Sequence, residues 1–333
     1  MTLQSSGTIQ FSQIETEFGQ IPGTNNRKIG GYRISETIGG LTNLPLDEGV
    51  PQPGSPISFS DFYSKRVNIV VDCYTSDENR VDARNKYNSD EVEIVGPGVK
   101  TPATGGKASK VIIHVNKNIG SQAVSGGSQS YCALRTGEWG DGETDEAEVC
   151  KLQVDVGANG TISGAGGDGG NTTECGSQPT QDGEDGNSAL GIQHGTVANP
   201  TVVKVASGGL ISCGYGGGGA GGSARNRDGG NTREAEGGGG GGGAGIPAGS
   251  AGIGNKPGEG GVPTDGSTPT GANNDGGSGG AGTWYEGHTG EATGGVGGAG
   301  GPGGYYRYGW SGGYTQLDPD DYVYAGGPEK GYD

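Results

Sequence analysis

The sequence predicts a mainly β protein joined to a glycine-rich bundle, with little α-helix. Three observations lead there. Of 79 glycines in 333 residues, 57 fall in residues 157–313, more than one residue in three. Residues 66–163 instead carry short β-branched segments separated by turn clusters, the pattern of strands. Hydrophobic residues total 29 %, with four Phe and one Met, too few for one apolar core along the whole chain.

Residues 1–65 form a small first unit with an internal repeat. Gly7-Thr8-Ile9-Gln10-Phe11-Ser12-Gln13-Ile14 aligns with Ser55-Pro56-Ile57-Ser58-Phe59-Ser60-Asp61-Phe62. In each copy Ile and Phe alternate as on a half-buried strand, and the following Ser is placed to cap a helical turn. Ser12-x-x-Glu15 has the form of a capping box. Phe62-Tyr63 reads as an aromatic plug, and the segment between the copies is rich in Gly, Asn and Pro. A unit this small and poor in apolar residues suits docking onto something larger.

Residues 66–156 read as a β-sandwich-like or jelly-roll-like spacer. Strands are expected at 66–74, 91–95, 110–115, 128–135 and 149–156, and a further one at 161–163 leads into the glycine half. Val-Asn-Ile-Val-Val and Lys-Val-Ile-Ile-His-Val carry the β-branched content of strands.

Residues 157–313 contain runs such as 214–222, 237–249 and 294–304. Glycine loses more backbone entropy on ordering than any other residue, so the default reading is a flexible linker. A folded alternative is a bundle of extended, left-handed, three-fold helices of the polyglycine II type. These make no internal hydrogen bonds, so each N–H and C=O must bond sideways to a neighbouring run. A run of 9–13 residues would span roughly 28–40 Å at about 3.1 Å per residue. Six or more runs would fold back through polar loops, with loops expected at 171–189, 223–236 and 263–275. Residues 314–333 form a polar and aromatic tail.

The formal charge of −17 repels nucleic-acid backbones and excludes DNA or RNA as a partner. No stretch of about 18 apolar residues suggests membrane insertion, and the N-terminus lacks the pattern of a signal peptide. The five cysteines show no metal-ligand spacing. They read as free thiols packed as small hydrophobes, with one bridge, Cys132–Cys150, as the alternative.

Catalytic patterns are absent. The three histidines, His114, His194 and His288, belong to no HExxH, GxSxG or triad-like set. The carboxylates Asp141, Glu143, Asp145 and Glu146 crowd one hydrophilic segment and read as a solvated charge run. Gly166-Gly167-Asp168-Gly169-Gly170-Asn171 does not iterate as a calcium β-roll does. Asp182, Glu184 and Asp185 are weaker candidates for a cation. No enzyme activity, cofactor or resident metal is expected. The aromatics carry more information. In the glycine half they bunch as Trp284-Tyr285 and as Tyr305-Tyr306-x-Tyr308-x-Trp310. Such rigid, amphipathic side chains suit a binding surface, and their faces suit sugar rings. Packing against the glycine runs is the bland alternative.

Ile57–Tyr63 resembles the "GxISFSDFY" element that recurs in tail and structural proteins of tailed bacteriophages. Residues 152–167, with Asn159-Gly160-Thr161-Ile162-Ser163-Gly164-Ala165-Gly166-Gly167, resemble the passage by which phage tail-fibre proteins enter a glycine-rich domain. The chain is similar to the tip adhesins of T-even-like long tail fibres. That resemblance implies a virion tail component, made in the host cytoplasm, that binds a host-cell surface receptor without catalysis. The receptor would be a protein or a polysaccharide. The N-terminal unit departs from the attachment domain of those adhesins; it is read as a virion attachment unit, with Ile9, Phe11, Ile57, Phe59, Phe62 and Tyr63 as the candidate residues that join other virion tail proteins. Trp284, Tyr285, Tyr305, Tyr306, Tyr308 and Trp310 are the candidate receptor-binding residues. The alternative is a structural tail, baseplate or collar protein whose glycine bundle packs within the virion.

Overall fold

The computed structural model describes residues 3–21, 28–89, 91–98, 110–122, 132–137, 139, 151–171, 182–193, 200–220, 239–253, 264 and 267–268. It also describes the strand backbones at 224–228, 231–235, 281–282, 290–293, 305–310 and 313–315. The described chain is mainly β, with two short α-helices. It divides into two compact units. The first comprises Met1–Asn118, Arg135–Thr161 and Ile192–Gly209, and the second Ile119–Leu134, Ile162–Gly191 and Leu210–Asp333.

In the first unit a helix spans Phe11–Phe18. Phe11, Ile14 and Phe18 recur at the spacing of one helical face, and Ile14 and Phe18 are fully buried. The helix ends at Gly19, whose φ is +84°, a left-handed backbone that glycine adopts without strain. The second copy of the repeat forms a 3-10 turn, Phe59–Phe62. The expected strand-then-cap reading is corrected: the helical turn starts on the Phe itself, so Ser12 lies inside the helix. The same lock recurs in both copies. The Gln10 N–H donates to Gln13 Oε1 at 2.7 Å, and the Ser58 N–H donates to Asp61 Oδ2 at 2.6 Å. Each bond satisfies a donor that the start of a helix leaves open.

The two copies meet through their rings. Phe11 lies 6.2 Å from Phe59, centroid to centroid, and Phe18 lies 6.0 Å from Phe62. Tyr32 joins both pairs, 5.8 Å from Phe11 and 5.8 Å from Phe62. Its hydroxyl donates to the Gly19 carbonyl at 3.0 Å. The tilted and edge-on angles are those aromatic pairs prefer.

A five-stranded sheet follows, in the order Val202–Val205, Lys151–Val156, Lys110–Val115, Ile69–Cys73, Val92–Ile94. The first four strands are parallel and Val92–Ile94 is antiparallel. This corrects the sandwich or jelly-roll expectation, which requires antiparallel pairing. The pairing partners lie some forty residues apart in sequence: Ile69 faces Val111, and Val111 faces Leu152. Val70, Val71, Cys73, Val111, Ile113 and Val115 are all fully buried. Burial on both faces is the mark of parallel strands.

His114 sits in this sheet as a structural residue. Its Nε2 lies 2.8 Å from the Gly39 carbonyl. Lys86 is tied to Glu91 at 2.7 Å, to Glu78 at 2.9 Å and to the Asp72 carbonyl at 2.7 Å. Burial pulls its ammonium down, but the bonds to Glu91 and Glu78 outweigh that and raise it to about 12.

A four-stranded sheet has the order Leu210–Ser212, Thr161–Ser163, Asn118–Gly120, Glu78–Asn79. In the chain each of its first three strands follows one of the parallel strands: Val202–Val205, Lys151–Val156 and Lys110–Val115. Both sheets therefore keep one strand order, and from Ser163 onward the chain enters the glycine runs.

Candidate functional site

Five glycine-containing runs are described in the second unit: 163–171, 182–191, 212–220, 239–246 and 247–253. Their backbone bonds go sideways and advance three residues at a time. Gly164, Gly167 and Gly170 donate to the carbonyls of Ser212, Tyr215 and Gly218 at 3.0, 2.8 and 2.9 Å. Gly166 and Gly169 donate to Pro247 and Ser250 at 3.0 and 2.9 Å. Gly240, Gly243 and Ile246 donate back to Gly170, Gly167 and Gly164 at 2.9, 2.8 and 2.9 Å. Glu184 and Asn187 donate to Asp168 and Ala165, both at 2.8 Å.

The register fixes direction. Partner numbers rise together between the first run and the third and fifth, and fall against the second and fourth. Successive runs therefore alternate up and down. Gly242 and Gly245 extend the pattern by donating to Thr264 and Ser267 at 3.1 and 3.0 Å.

Glycine spacing follows from crowding. The first run bonds to four others and has glycine at 164, 166, 167, 169 and 170. A Cβ at Gly169 would lie 2.6 Å from the Gly240 carbonyl carbon and 2.7 Å from the Gly252 nitrogen. The second and fifth runs each bond to two others and keep one glycine in three, Gly183 and Gly186 or Gly249 and Gly252. Side chains stand where no backbone presses. Two of them extend the ladder: Asp168 Oδ1 accepts from the Ser250 N–H and Asn171 Oδ1 from the Ile253 N–H, each at 2.7 Å.

The alternation gathers the connections. The described runs end at Asn171, Ala220 and Ile253 and resume at Asp182, Gly239 and Thr264. These residues are level, because Gly170 bonds to Gly218, Gly240 to Gly170 and Gly252 to Gly240. Connections 172–181, 221–238 and 254–263 thus all start from one end. The connection 221–238 contains a hairpin, Ala224–Asp228 paired with Asn231–Ala235. Asn171, Asp182 and Ile253 are exposed at this end.

The opposite end is tied by a polar knot. Ser121 Oγ accepts from the Ala165 N–H at 2.6 Å and from Asn187 Nδ2 at 3.3 Å, and the Ser121 N–H donates to the Ile246 carbonyl at 2.9 Å. Ser121 and Asn187 are both buried.

The loop bounds shift accordingly. Residues 182–189 were expected in a loop but form a run, since Glu184 and Asn187 belong to the ladder. Thr264 and Ser267 likewise accept bonds from the fourth run. Composition hid both, because an outer run needs glycine at every third position and is otherwise polar. The roles of Asp168 and Asn171 were also missed, although their three-residue spacing was the available signal. Asp182, Glu184 and Asp185 form no metal group; among the described residues no cluster of three or more His, Cys, Asp or Glu could hold an ion.

The expected site residues fall in several places. Ile9 and Phe62 are buried in the first unit, Phe11, Ile57 and Tyr63 are partly exposed, and Phe59 is 41 % exposed. Tyr305, Tyr306, Tyr308 and Trp310 lie on the strand Tyr305–Trp310, third in a four-stranded antiparallel sheet. Tyr314 lies on the next strand, Gly313–Thr315. Trp284, Tyr285, His194 and His288 lie outside the described residues. Cys73 is a buried free thiol, held well above the usual range by burial, and Cys213 is exposed and free. Cys150 also lies outside the described residues.

Residues 82–329 match the family described as phage tail fibre adhesin Gp38, about three quarters of the chain. The protein is thus a phage tail-fibre adhesin, a component of the virion tail. Within that class it belongs to the Gp38 family. No curated protein and no solved structure matches it. Among the described residues no helix is long and apolar enough to cross a membrane.

Proposed function

We propose that this adhesin binds a host-cell surface receptor, without catalysis, through the connections gathered at one end of its glycine half. The observation that carries the reading is the common origin of residues 172–181, 221–238 and 254–263. Loops that carry recognition gain from a rigid base, and a base fixed in advance lowers the entropy lost on contact. The three-residue hydrogen-bond step supports a polyglycine II-type bundle as that base, built from the runs 163–171, 182–191, 212–220, 239–246 and 247–253. Residues 66–156 act as a spacer and 314–333 as a tail. Residues 1–65 join the adhesin to other tail proteins. Their exposed ring, Phe59, and its partner Phe11 offer the attachment surface, while Ile9 and Phe62 hold the unit together. The family match begins at residue 82, which leaves the repeat free to serve an attachment particular to this virion.

The test is competition. Purified full-length chain is added to cells that the phage infects, and adsorption of intact phage is then counted. The reading predicts a dose-dependent fall in adsorption. Undiminished adsorption at saturating chain would overturn it and favour the structural alternative.

A further inference from the structure

We propose that the strand Val202–Val205 is a docking edge, which takes an extended segment of another virion protein as a further strand of the sheet. That segment carries a carboxylate opposite Lys204. The proposal goes beyond the attachment assigned to residues 1–65 and adds a second contact within the tail.

Val202–Val205 is the marginal strand of the five-stranded sheet. It runs parallel to Lys151–Val156, with Gln153 opposite Val202 and Val156 opposite Val205. Among the described residues no strand lies beyond it. A strand at such a margin presents a row of N–H and C=O groups to any chain that comes alongside. The side chains contrast with those of the inner neighbour. Leu152, Val154 and Val156 are buried, whereas Val202, Val203 and Val205 are 43, 37 and 49 % exposed. Alternate residues take opposite faces, so apolar surface stands open on both, Val202 on one and Val203 and Val205 on the other. Exposure continues through Ala206, Ser207 and Gly208. Valine-rich strands belong to parallel sheets covered on both faces, and this one has that composition without the cover. The other margin differs: Val92–Ile94 closes it in the antiparallel sense, with Val92 buried.

Backbone groups at a sheet edge are met by a polypeptide strand. A permanent cover suits this edge, because a bare apolar edge promotes aggregation. The strand belongs to the first unit, with the repeat of residues 1–65, and not to the unit that bears the connections 172–181, 221–238 and 254–263. Both points favour a virion chain over a host receptor. Charge narrows the partner further. Residues 186–227 contain no Asp or Glu, in a chain that has 38, and Lys204 is the single charge on the strand. Lysine on an edge strand deters unselective pairing. A carboxylate opposite turns that barrier into an attraction, since opposite charges across a sheet stabilise the pair. A second copy would instead bring its own Lys204 to the same edge and set −17 against −17. The partner is therefore a different chain, apolar on both faces, with an Asp or Glu at the Lys204 position.

The experiment puts the photo-reactive residue benzoylphenylalanine in place of Val203 in the full-length chain of assembled phage. Purified particles are irradiated, and cross-linked peptides are identified by mass spectrometry. Parallel samples carry the label in place of Val205, on the same face, and in place of Phe59 in the N-terminal unit. The proposal predicts that the labels at 203 and 205 both join one segment of another virion protein, and that this segment contains an Asp or Glu. Lys204→Glu sets like charges face to face and should cut the yield at 203 about tenfold, with the melting temperature of the free chain unchanged, whereas Lys204→Arg should keep the yield. A cross-link to a second copy of this chain would overturn the proposal, as would labels at 203 and 205 that join nothing outside their own chain. A joined segment without Asp or Glu would overturn the stated chemistry. If the label at 59 joins a tail protein while those at 203 and 205 do not, the edge fails and the N-terminal attachment stands. The reverse result keeps the edge and overturns that attachment. Two labelled positions on one face keep the test decisive where one label disturbs assembly.

Discussion

Replacing Gly243 by Ala should unpick the glycine ladder at one point. The Gly243 N–H donates to the Gly167 carbonyl at 2.8 Å, and its own carbonyl accepts from Gly249 at 2.9 Å. An added Cβ would lie 2.7 Å from the Tyr215 carbonyl carbon and 2.8 Å from the Gly216 oxygen, and nearer still to the Tyr215 oxygen. Ordinary carbon contacts begin near 3.5 Å, so the two runs would have to part by about 1 Å. Tyr215 to Ala244 and Gly218 to Gly241, at 2.9 and 2.8 Å, bind those same runs. Each bond is worth about 1 kcal/mol net, and a buried group left without a partner costs about 1–3 kcal/mol. Loss of the pair amounts to roughly 4 kcal/mol. The lower chain entropy of Ala returns about 0.4–1 kcal/mol, leaving a destabilisation of about 3 kcal/mol. Asp168→Ala is the matched control. It removes one side-chain acceptor, from the Ser250 N–H, and should cost about 1 kcal/mol. Calorimetry gives the energies, and hydrogen exchange on peptides covering 212–220 and 239–253 locates them. If Gly243→Ala melts with the wild type and exchange in both peptides is unchanged, the argument from close approach fails.

Further outcomes follow from the charged groups of the first unit and from the cysteines. Glu17 and Glu48 should respond to pH with opposite signs. Burial raises the Glu17 carboxyl, so its folded-state cost is present at neutral pH and disappears as pH falls through the folded value to the unfolded one. Glu17→Gln should therefore match or exceed wild-type stability at pH 7, with the gain vanishing in acid. Glu48, bonded to Lys110 at 2.8 Å and Lys151 at 3.3 Å, is lowered, chiefly by the Lys110 bond. Its contribution is present above the unfolded value and lost as pH falls through the folded one. Glu48→Gln should cost less than about 1 kcal/mol at pH 7, and less again in high salt, because the pair is partly exposed; chemical denaturation across pH reads both. Lys86→Met should cost about 1–2 kcal/mol, because it removes the ion pairs to the partly buried Glu78 and the exposed, solvent-screened Glu91. The wild type should lose that stability as pH rises from about 10.5 through 12, which thermal melts in alkaline buffer would show. Alkylation of the native chain followed by mass spectrometry should modify Cys213 and spare Cys73 until denaturant is added.

How much of this was legible depended on the range of the interaction. The strands at 110–115 and 161–163 stand where β-branched composition placed them, because that signal is local. The parallel pairing was not legible, since Ile69 and Val111 find each other across about forty residues and nothing in either segment names the other. The helix at Phe11–Phe18 hid behind an Ile-x-Phe alternation two residues long, too short to separate a strand from a helix start. In the glycine half, runs dense in glycine were plain. The outer run at 182–191 was not, because its two neighbours demand glycine at every third position alone, and Glu184, Asp185 and Asn187 read as loop. Where the connections converge became visible from run direction, which depends on pairing and not on composition.

The most direct measurement of the central claim is a loop exchange in the assembled virion. Residues 172–181, 221–238 and 254–263 are replaced together by the corresponding segments of a family member from a phage with a different host. The account predicts particles that assemble normally and adsorb to the donor's host. Normal particles that keep the original host range would contradict it, because recognition would then lie away from the loop-bearing end.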